Sequence, residues 1–284
     1  MKASAGPNPD DRVLLYTRVL SLCIVPFLVA GFVILYLFPQ HTVRLWAWPL
    51  RPTMTSMVLA SAYLGGAYFF VRAGFERRWH VLAPGLLSVT LFATLLGVAT
   101  VLHWGKFNHD NPAFWVWSAL YFAAPLLVLG AWLANRRYAD DVRRVDDLLA
   151  PSVRGVVAAI GMLALVTGTA MFISPSTFLD LWPWTLTPLS CRTLAAVWCL
   201  GGAGIGAWRD ARWSTLRRML EVEMVMVALM LLAALRAHDQ LDSGKPLAWP
   251  ILVGFSLLFF SSIVLWSRHG LRSRGALERP EPIG

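Results

Sequence analysis

Charged residues are scarce in this 284-residue sequence, whereas apolar residues are abundant. Asp, Glu, Lys and Arg together make up 14% of the chain and apolar residues 57%. A soluble domain usually carries about 25% charged residues. The composition therefore excludes an ordinary soluble globular protein and predicts a membrane protein.

Cysteine is also rare, and the common catalytic motifs are missing. The three cysteines, Cys23, Cys191 and Cys199, lie in or beside apolar segments and form no CxxC pair, which disfavours a disulfide framework. No GxSxG, Walker, GxGxxG or HExxH pattern stands in a suitable context. The sequence thus indicates none of the usual hydrolase, nucleotide or zinc-protease sites.

Ionisable residues are missing from the centres of the apolar segments, so we expect neither a buried proton pathway nor a haem or other cofactor. Glu221 and Glu223 come nearest, about one turn inside the seventh segment. Arg217 and Arg218 precede Glu221 by four and three residues, which favours an interfacial ion-pair cluster over a proton relay. Glu223 falls on a different helix face from Glu221.

What the chain does contain is eight apolar segments, each long enough to cross a hydrocarbon core of about 30 Å as a helix. They cover residues 14–38, 53–71, 81–102, 113–134, 153–173, 189–208, 219–235 and 247–266. Pro26 lies inside the first segment and predicts a kink there. The predicted fold is an all-α polytopic membrane protein with eight transmembrane helices.

Basic residues are distributed unevenly about these segments. With eight crossings, only six of the 25 Lys and Arg residues face the side opposite the termini: Arg44, Arg51, Lys106, Arg192, Arg236 and Lys245. This asymmetry predicts a bacterial cytoplasmic (inner) membrane protein with both termini in the cytoplasm. The net charge of +9 then reflects topology and contact with the lipid bilayer, and we expect no nucleic acid partner.

The sequence repeats itself at an offset of 136 residues. LWAWPLRP at 45–52 returns as LWPWTLTP at 181–188. The same offset relates Pro39 to Pro175, residues 64–66 to 200–202, and residues 95–96 to 231–232. Because four crossings make up each copy, we expect two parallel four-helix repeats related by a pseudo-twofold axis along the membrane normal.

The duplication defines the expected boundaries. They are a cytoplasmic tail at 1–12, repeats at 13–135 and 153–268, a linker at 136–152 and a basic tail at 269–284. Val142, Val145 and Leu149 recur at helical spacing in the linker and predict a short amphipathic surface helix, with a solvated linker as an equal alternative.

Small residues mark a candidate helix contact. Ala62 and Gly66 in the second segment, and Gly202 and Gly206 in the sixth, have the small-xxx-small spacing that lets helices approach closely. We expect them at the packed centre between the repeats. The alternative is that glycine is simply frequent in membrane helices.

Two loops on the outer side carry the polar ligand candidates. His103 and Asp110 follow the third segment, His238 and Asp239 follow the seventh, and His103 aligns with Asp239 at the offset of 136. NPAFW at 111–115 matches KPLAW at 245–249 with an offset of 134, which places a two-residue deletion in the second loop. The loops could converge on a polar ligand, but no metal-ligand spacing exists and we expect no metal.

Tryptophan is concentrated near the same face. Eight of the 14 tryptophans lie there: Trp46, Trp48, Trp104, Trp115, Trp117, Trp182, Trp184 and Trp249. An aromatic belt facing lipid is the favoured interpretation. The alternative is an aromatic pocket for a lipid-like ligand that includes Trp46, Trp48, Trp182 and Trp184.

Three stretches resemble uncharacterised multi-pass membrane proteins of high-GC bacteria, especially actinobacteria. They are FPQHTVRLWAWPLRP, LHWGKFNHDNPAFWVWSALY and LWPWTLTPLSCRTLAAVW. In that group a WPWxLTPL loop precedes a glycine-rich helix, and an LHWxRF-like loop precedes a helix that opens with PxFW. The resemblance covers most of both repeats and implies no activity or catalytic residue. Ala47 and Arg51 depart from the group pattern.

Three classes of function remain. The leading one is a non-enzymatic membrane protein, either an accessory or scaffold subunit of another membrane protein or a binder of an apolar or lipid-like ligand at the outer face. A transporter of an uncharged or lipid-like solute is the second, and it would be disfavoured if the second and sixth helices packed without a cavity. The third is a membrane enzyme acting through the outer His and Asp residues.

Overall fold

The computed structural model describes residues 10–138 and 147–277, with side chains up to residue 269. Over these ranges the chain is helical and contains no strand, only the isolated bridges Arg12–Arg78 and Leu148–Arg212. The all-helical class predicted from the composition is therefore confirmed. The hypothesis of an amphipathic linker helix falls largely on residues outside the described part.

The α-helices of the described ranges are α1 (Leu15–Phe32), α2 (Thr42–Leu45), α3 (Thr53–Phe75), α4 (Ala83–Leu102), α5 (Pro112–Asn135), α6 (Pro151–Ile173), α7 (Pro175–Leu179), α8 (Pro188–Cys199), α9 (Gly206–Arg209), α10 (Trp213–Arg236) and α11 (Ala248–Leu277). A π-helical turn, Val33–Leu37, extends α1, and a 3-10 segment, Leu200–Ile205, joins α8 to α9. Pro26 lies inside α1 without ending it.

Seven of the described helical stretches are long and apolar enough to cross a membrane. They are Leu15–Leu37, Thr53–Phe75, Ala83–Leu102, Pro112–Tyr138, Pro151–Ile173, Pro188–Arg209 and Ala248–His269. The 24-residue α10 is as long but carries Arg217, Arg218, Glu221 and Glu223. The protein is thus a helical membrane protein with seven clear candidate spans.

Some helix ends are set by local sequence. Proline is the first residue of α5 and of α8. The amide at this position has no acceptor within the helix, so proline's lack of an amide hydrogen costs no hydrogen bond. Asn111 Oδ1 accepts from Ala113 N at 2.9 Å, and Thr187 Oγ1 accepts from Ser190 N at 3.1 Å. Both helices are therefore capped by the residue before the proline. At the other end of the chain, α11 continues to Leu277, past residue 268 where we predicted a tail.

Helices α3, α4, α8 and α10 form the centre of the bundle. Helix α3 packs against α1 and α10, while α8 packs against α6 and α4. Helix α5 lies on α4, and α11 lies on α10. In the most apolar window of α3, 78% of the residues are buried, whereas in that of α11 only 11% are. The outer faces of α1, α5, α6 and α11 are left for lipid.

The small residues lie partly where we expected. Gly206 lies against Pro84 of α4, in the other half of the chain. Gly66 instead faces Leu28 of α1, and Gly202 faces Leu165 of α6, so these two pack within their own halves. The prediction that Gly66 and Gly202 stand between the halves is therefore wrong, because each packs against a side chain of its own half.

Loops at the two ends of the bundle repeat the same bonds. At one end, called the basic end, Trp79 N donates to Asp11 O and Trp213 N donates to Asp147 O, both at 2.9 Å. At the other, called the aromatic end, Asn108 N donates to Ala47 O at 2.9 Å and Asp242 N donates to Pro183 O at 2.7 Å. In each pair the acceptors are 136 residues apart and the donors 134.

These bonds correct the predicted alignment of the loops. Between these bonded pairs the offset is already 134 at Trp79 and Trp213, so the two-residue difference falls before them and not in the loop at His238. The short 3-10 turns Trp104–Lys106 and His238–Gln240 correspond at the same offset. His103 therefore matches Ala237 and not Asp239.

Candidate ligand cavity

A cavity of about 980 Å³ lies inside the bundle. Side chains of α1, α3, α4, α5, α6, α8, α10 and α11 line it, and nearly all of them are apolar. Its lining reaches from Trp46 near the aromatic end to Arg218 and Arg268 near the basic end. A cleft of this volume and composition is typical of a site for an apolar molecule.

Aromatic rings form one wall of the cavity. The Tyr63 and Tyr121 hydroxyls are hydrogen-bonded at 2.8 Å, and Trp117 Nε1 donates to Thr100 Oγ1 at 2.8 Å. Trp46 meets Trp117 edge to face, with ring centroids 5.6 Å apart. Tyr63, Tyr121 and Trp117 thus pair their polar atoms with protein groups, whereas the buried Trp46 Nε1 has no hydrogen-bond partner in the described residues.

The four tryptophans predicted as ligand contacts are all buried in the core: Trp46, Trp48, Trp182 and Trp184. The interpretation of these residues as a lipid-facing belt is thus wrong, although Trp115 and Trp249 are 57% and 62% exposed. Only Trp46 of the four lines the cavity. Trp184 Nε1 donates to Thr55 Oγ1 of α3 at 2.9 Å, which ties the second half of the chain to the first.

The predicted polar loops do not assemble into one site. No hydrogen bond or ion pair joins His103, Asp110, His238 and Asp239 to one another in the described ranges, and none of the four lines the cavity. The same part of the chain holds no group of three His, Cys, Asp or Glu residues placed for a metal.

His103 has a different role. Its Nε2 lies 2.7 Å from Arg192 Nη1, and because a guanidinium can only donate, the imidazole accepts. Burial lowers the pKa of His103, and the charges of Arg192 and Lys106 lower it further. The neutral ring therefore joins the end of α4 to the start of α8.

Glu221 lies in an ion-pair cluster, as the spacing of its neighbours indicated. Its carboxylate accepts from Arg218 Nη1 at 2.6 Å, from Arg217 Nε at 2.9 Å and from the Tyr68 hydroxyl at 2.8 Å. Arg218 also lies 3.5 Å from Glu76 of the α3–α4 loop. The interpretation as an ion-pair cluster is confirmed, and Tyr68 and Glu76 extend it across both halves.

Glu76 is ionised in this cluster. Burial raises the pKa of its carboxyl, but hydrogen bonds from the Arg77 and Arg78 amides, with the charges of Arg78 and Arg218, lower it more. The net pKa lies below the ordinary value. Glu76 is therefore charged near neutral pH, and it lies beside Arg218 together with Glu221.

Glu223 faces the cavity. Helix α10 begins at Trp213, six residues before the predicted start, so Glu223 lies about 15 Å along the helix and not one turn from its end. Ser262 Oγ of α11 donates to Glu223 Oε1 at 2.8 Å. Within the described chain Oε2 has no partner, and both residues line the cavity.

Sequence reasoning missed a second hydrogen-bonded group, at the basic end. Asp11 is bonded through its carboxylate to His80 Nδ1, and His80 Nε2 lies 3.1 Å from Ser214 Oγ. This is the order of a Ser–His–Asp triad. His80 is buried, however, and none of the three lines the cavity. The group joins the N-terminal segment to α10, and no local motif signals it because the three residues are far apart in the chain.

Comparison with known proteins adds no relative to this description: no family model, no curated protein and no solved structure matches the chain.

Proposed function

We propose that the chain forms eight membrane crossings in two parallel repeats, with α10 as the eighth crossing, in a bacterial cytoplasmic membrane with both termini inside. The matched loop bonds at both ends of the bundle support the duplication. So does the packing, since α3 lies on α10 just as α4 lies on α8. Helix α10 crosses despite its charges because Arg218, Glu221 and Glu223 are paired or bonded within the bundle, while the exposed Arg217 lies in the first turns of the helix.

We further propose that the protein binds an apolar or lipid-like small molecule inside the bundle. The observation that carries this proposal is the apolar cavity of about 980 Å³ shared by eight helices. It moves the expected site from the outer-face loops to the interior, where Trp46 is the one predicted tryptophan that contributes. The outer His and Asp residues do not lie together, so the geometry gives no support to an enzyme that acts through them.

Binding of a neutral apolar probe tests this function. Diphenylhexatriene absorbs where tryptophan emits, and Trp46, Trp117 and Trp198 line the cavity. Titrating the purified protein in a mild detergent should therefore give saturable energy transfer at about one probe per chain. Native mass spectrometry of the gently purified protein should show a bound lipid-like molecule that the probe displaces.

A matched pair of variants distinguishes the cavity from the lipid-facing surface. Ala124 and Ala119 both lie on α5, but only Ala124 lines the cavity. The Ala124→Phe variant should lose saturable transfer, whereas Ala119→Phe should keep it. Equal binding by both variants, or transfer that never saturates in the wild type, would contradict the proposal. A stoichiometric protein partner in place of a small molecule would favour an accessory subunit.

Transport of a lipid-like solute is the second candidate. It is supported by the reach of the cavity lining from Trp46 to Arg268 and by the cavity between α3 and α8, where tight packing would have disfavoured it. Proteoliposomes containing a fluorescent phospholipid decide between the two. Faster exchange of the phospholipid between leaflets than in protein-free vesicles indicates transport, and an unchanged rate indicates binding alone.

A further inference from the structure

One carboxyl group interrupts an otherwise apolar part of the cavity. Glu223 Oε1 accepts from Ser262, while Oε2 has no partner in the described protein. An ionised carboxylate in such surroundings carries a high desolvation cost unless a cation or several donors compensate it. One serine hydroxyl supplies a single donor, so the site lacks a positive partner.

The residues that the structure describes do not supply that partner. Arg218 and Arg268 also line the cavity. Arg218 is already engaged by Glu221 and Glu76. Arg268 is exposed, six residues or about 9 Å beyond Ser262 along α11. No ion pair joins either arginine to Glu223 in the part of the chain that the structure describes.

An apolar track leads away from the carboxyl group toward the aromatic end. Met226 and Met230 follow Glu223 on the cavity face of α10, while Leu258 and Phe255 precede Ser262 on the cavity face of α11. Seven residues of helix correspond to about 10 Å, so both walls run alongside an apolar body of that length. Methionine side chains adapt to the shapes of different ligands.

We propose that the cavity selects amphipathic molecules with a single cationic head, seated between Glu223 and Ser262, and an apolar body along the track between α10 and α11. The proposal rests on the proposed binding function and adds the chemical class of the ligand. The cation compensates the free carboxylate oxygen, and Ser262 holds the carboxylate in position. A neutral apolar molecule fills the same space without that gain.

Two fluorescent probes that differ in charge test the selectivity. Diphenylhexatriene is neutral, and its trimethylammonium derivative has the same apolar body with a cationic head. We expect the wild-type protein to bind the cationic probe roughly tenfold more tightly, after subtraction of partition into protein-free micelles. Saturable energy transfer from tryptophan measures both affinities.

Substitutions at the carboxyl group should remove this preference and leave the neutral probe unaffected. Glu223→Gln should bind both probes equally, and Glu223→Asp should keep part of the preference. Ser262→Ala should reduce it, whereas Ser256→Ala should not, because the Ser256 hydroxyl bonds its own helix at Leu252 O.

The outcomes separate this proposal from the binding function. If the neutral probe binds but the tenfold preference is absent, or persists in Glu223→Gln, the cationic-head proposal is overturned while the binding function stands. If neither probe gives saturable transfer, the binding function itself fails. Because the neutral probe reports an intact cavity in every variant, a misfolded variant cannot be mistaken for loss of selectivity.

Discussion

Arg218 links the two halves of the chain at the basic end of the bundle. It is buried, and it contacts Glu221 on its own helix and Glu76 on the α3–α4 loop. Replacing it with methionine keeps a similar volume but removes the one buried cation that bridges both carboxylates in the described chain, leaving each with a single, more exposed arginine. We expect Arg218→Met to destabilise the fold by about 3–5 kcal/mol.

Arg217 provides the matched control for this prediction. It also pairs with Glu221, but its side chain is 52% exposed. Arg217→Met should therefore cost less than about 1 kcal/mol. Thermal unfolding can be followed with a thiol-reactive dye, since Cys191 and Cys199 are buried, in a Cys23→Ser background that removes the exposed thiol. Equal losses for the two arginine variants would contradict the interpretation.

Sequence spacing predicted part of these sites at the residue level. The pairing of Glu221 with Arg217 and Arg218 is local, at four and three residues, and could be predicted from helix geometry. Tyr68 is 153 residues from Glu221, and Ser262 is 39 residues from Glu223. Such partners follow only from knowing which helices pack together.

At the scale of helices, the start of α10 shows why a hydropathy pattern misplaced Glu223. Helix α10 begins with the six residues WSTLRR. This stretch is too polar to be included in an apolar segment. Backbone hydrogen bonding nevertheless continues through it. The hydropathy pattern marks only the apolar part of the helix, whereas α10 begins six residues before that part. Glu223 was therefore predicted too near the end of the helix.

The 3-10 segment compensates for a shorter sequence. Counted from Pro52, α3 ends at Phe75. Counted from Pro188, the span formed by α8, the 3-10 segment and α9 ends at Arg209, two residues sooner. The six residues Leu200–Ile205 are 3-10 helical. At about 2.0 Å per residue against about 1.5 Å, they gain about 3 Å, which is the rise of two α-helical residues. Equal span lengths are thus kept, a result that the repeat pattern alone does not predict.

Close approach of this segment to α6 requires glycine. A Cβ atom added at Gly161 would lie 2.9 Å from Ile205 N and 3.0 Å from Gly201 O. We expect Gly161→Ala to destabilise the fold by roughly 1–3 kcal/mol because backbone atoms must move. Gly155→Ala, on the same helix with open space around it, should be neutral or stabilising by up to about 1 kcal/mol. Dye-detected unfolding compares the two, and a stable Gly161→Ala variant would contradict the packing.

For the whole molecule, the position of the C-terminus tests whether α10 crosses the membrane. Eight crossings place both termini on one side, and seven place them on opposite sides. Green fluorescent protein fused to either end of the full chain should fluoresce, because it folds in the cytoplasm but not outside after export in an unfolded state. Alkaline phosphatase fusions should be inactive at both ends.

The fusion proteins would also identify seven crossings. A fluorescent N-terminal fusion combined with an active C-terminal phosphatase would mean seven crossings, and α10 would then lie along the surface. The charge asymmetry predicted the side of the termini, but the five charged residues of α10 keep it out of the seven spans that length and apolar composition identify. Helix packing supplies the argument that composition cannot.

The burial of α3 has a consequence for how the chain is made. Its polar partners come late in synthesis, since Thr53 bonds Gln240, 187 residues away, and Tyr68 bonds Glu221. When the ribosome has finished the first half, α3 is therefore already in the bilayer with these groups unmatched. These polar contacts of α3 are thus completed only after α10 and the turn that follows it have been synthesised.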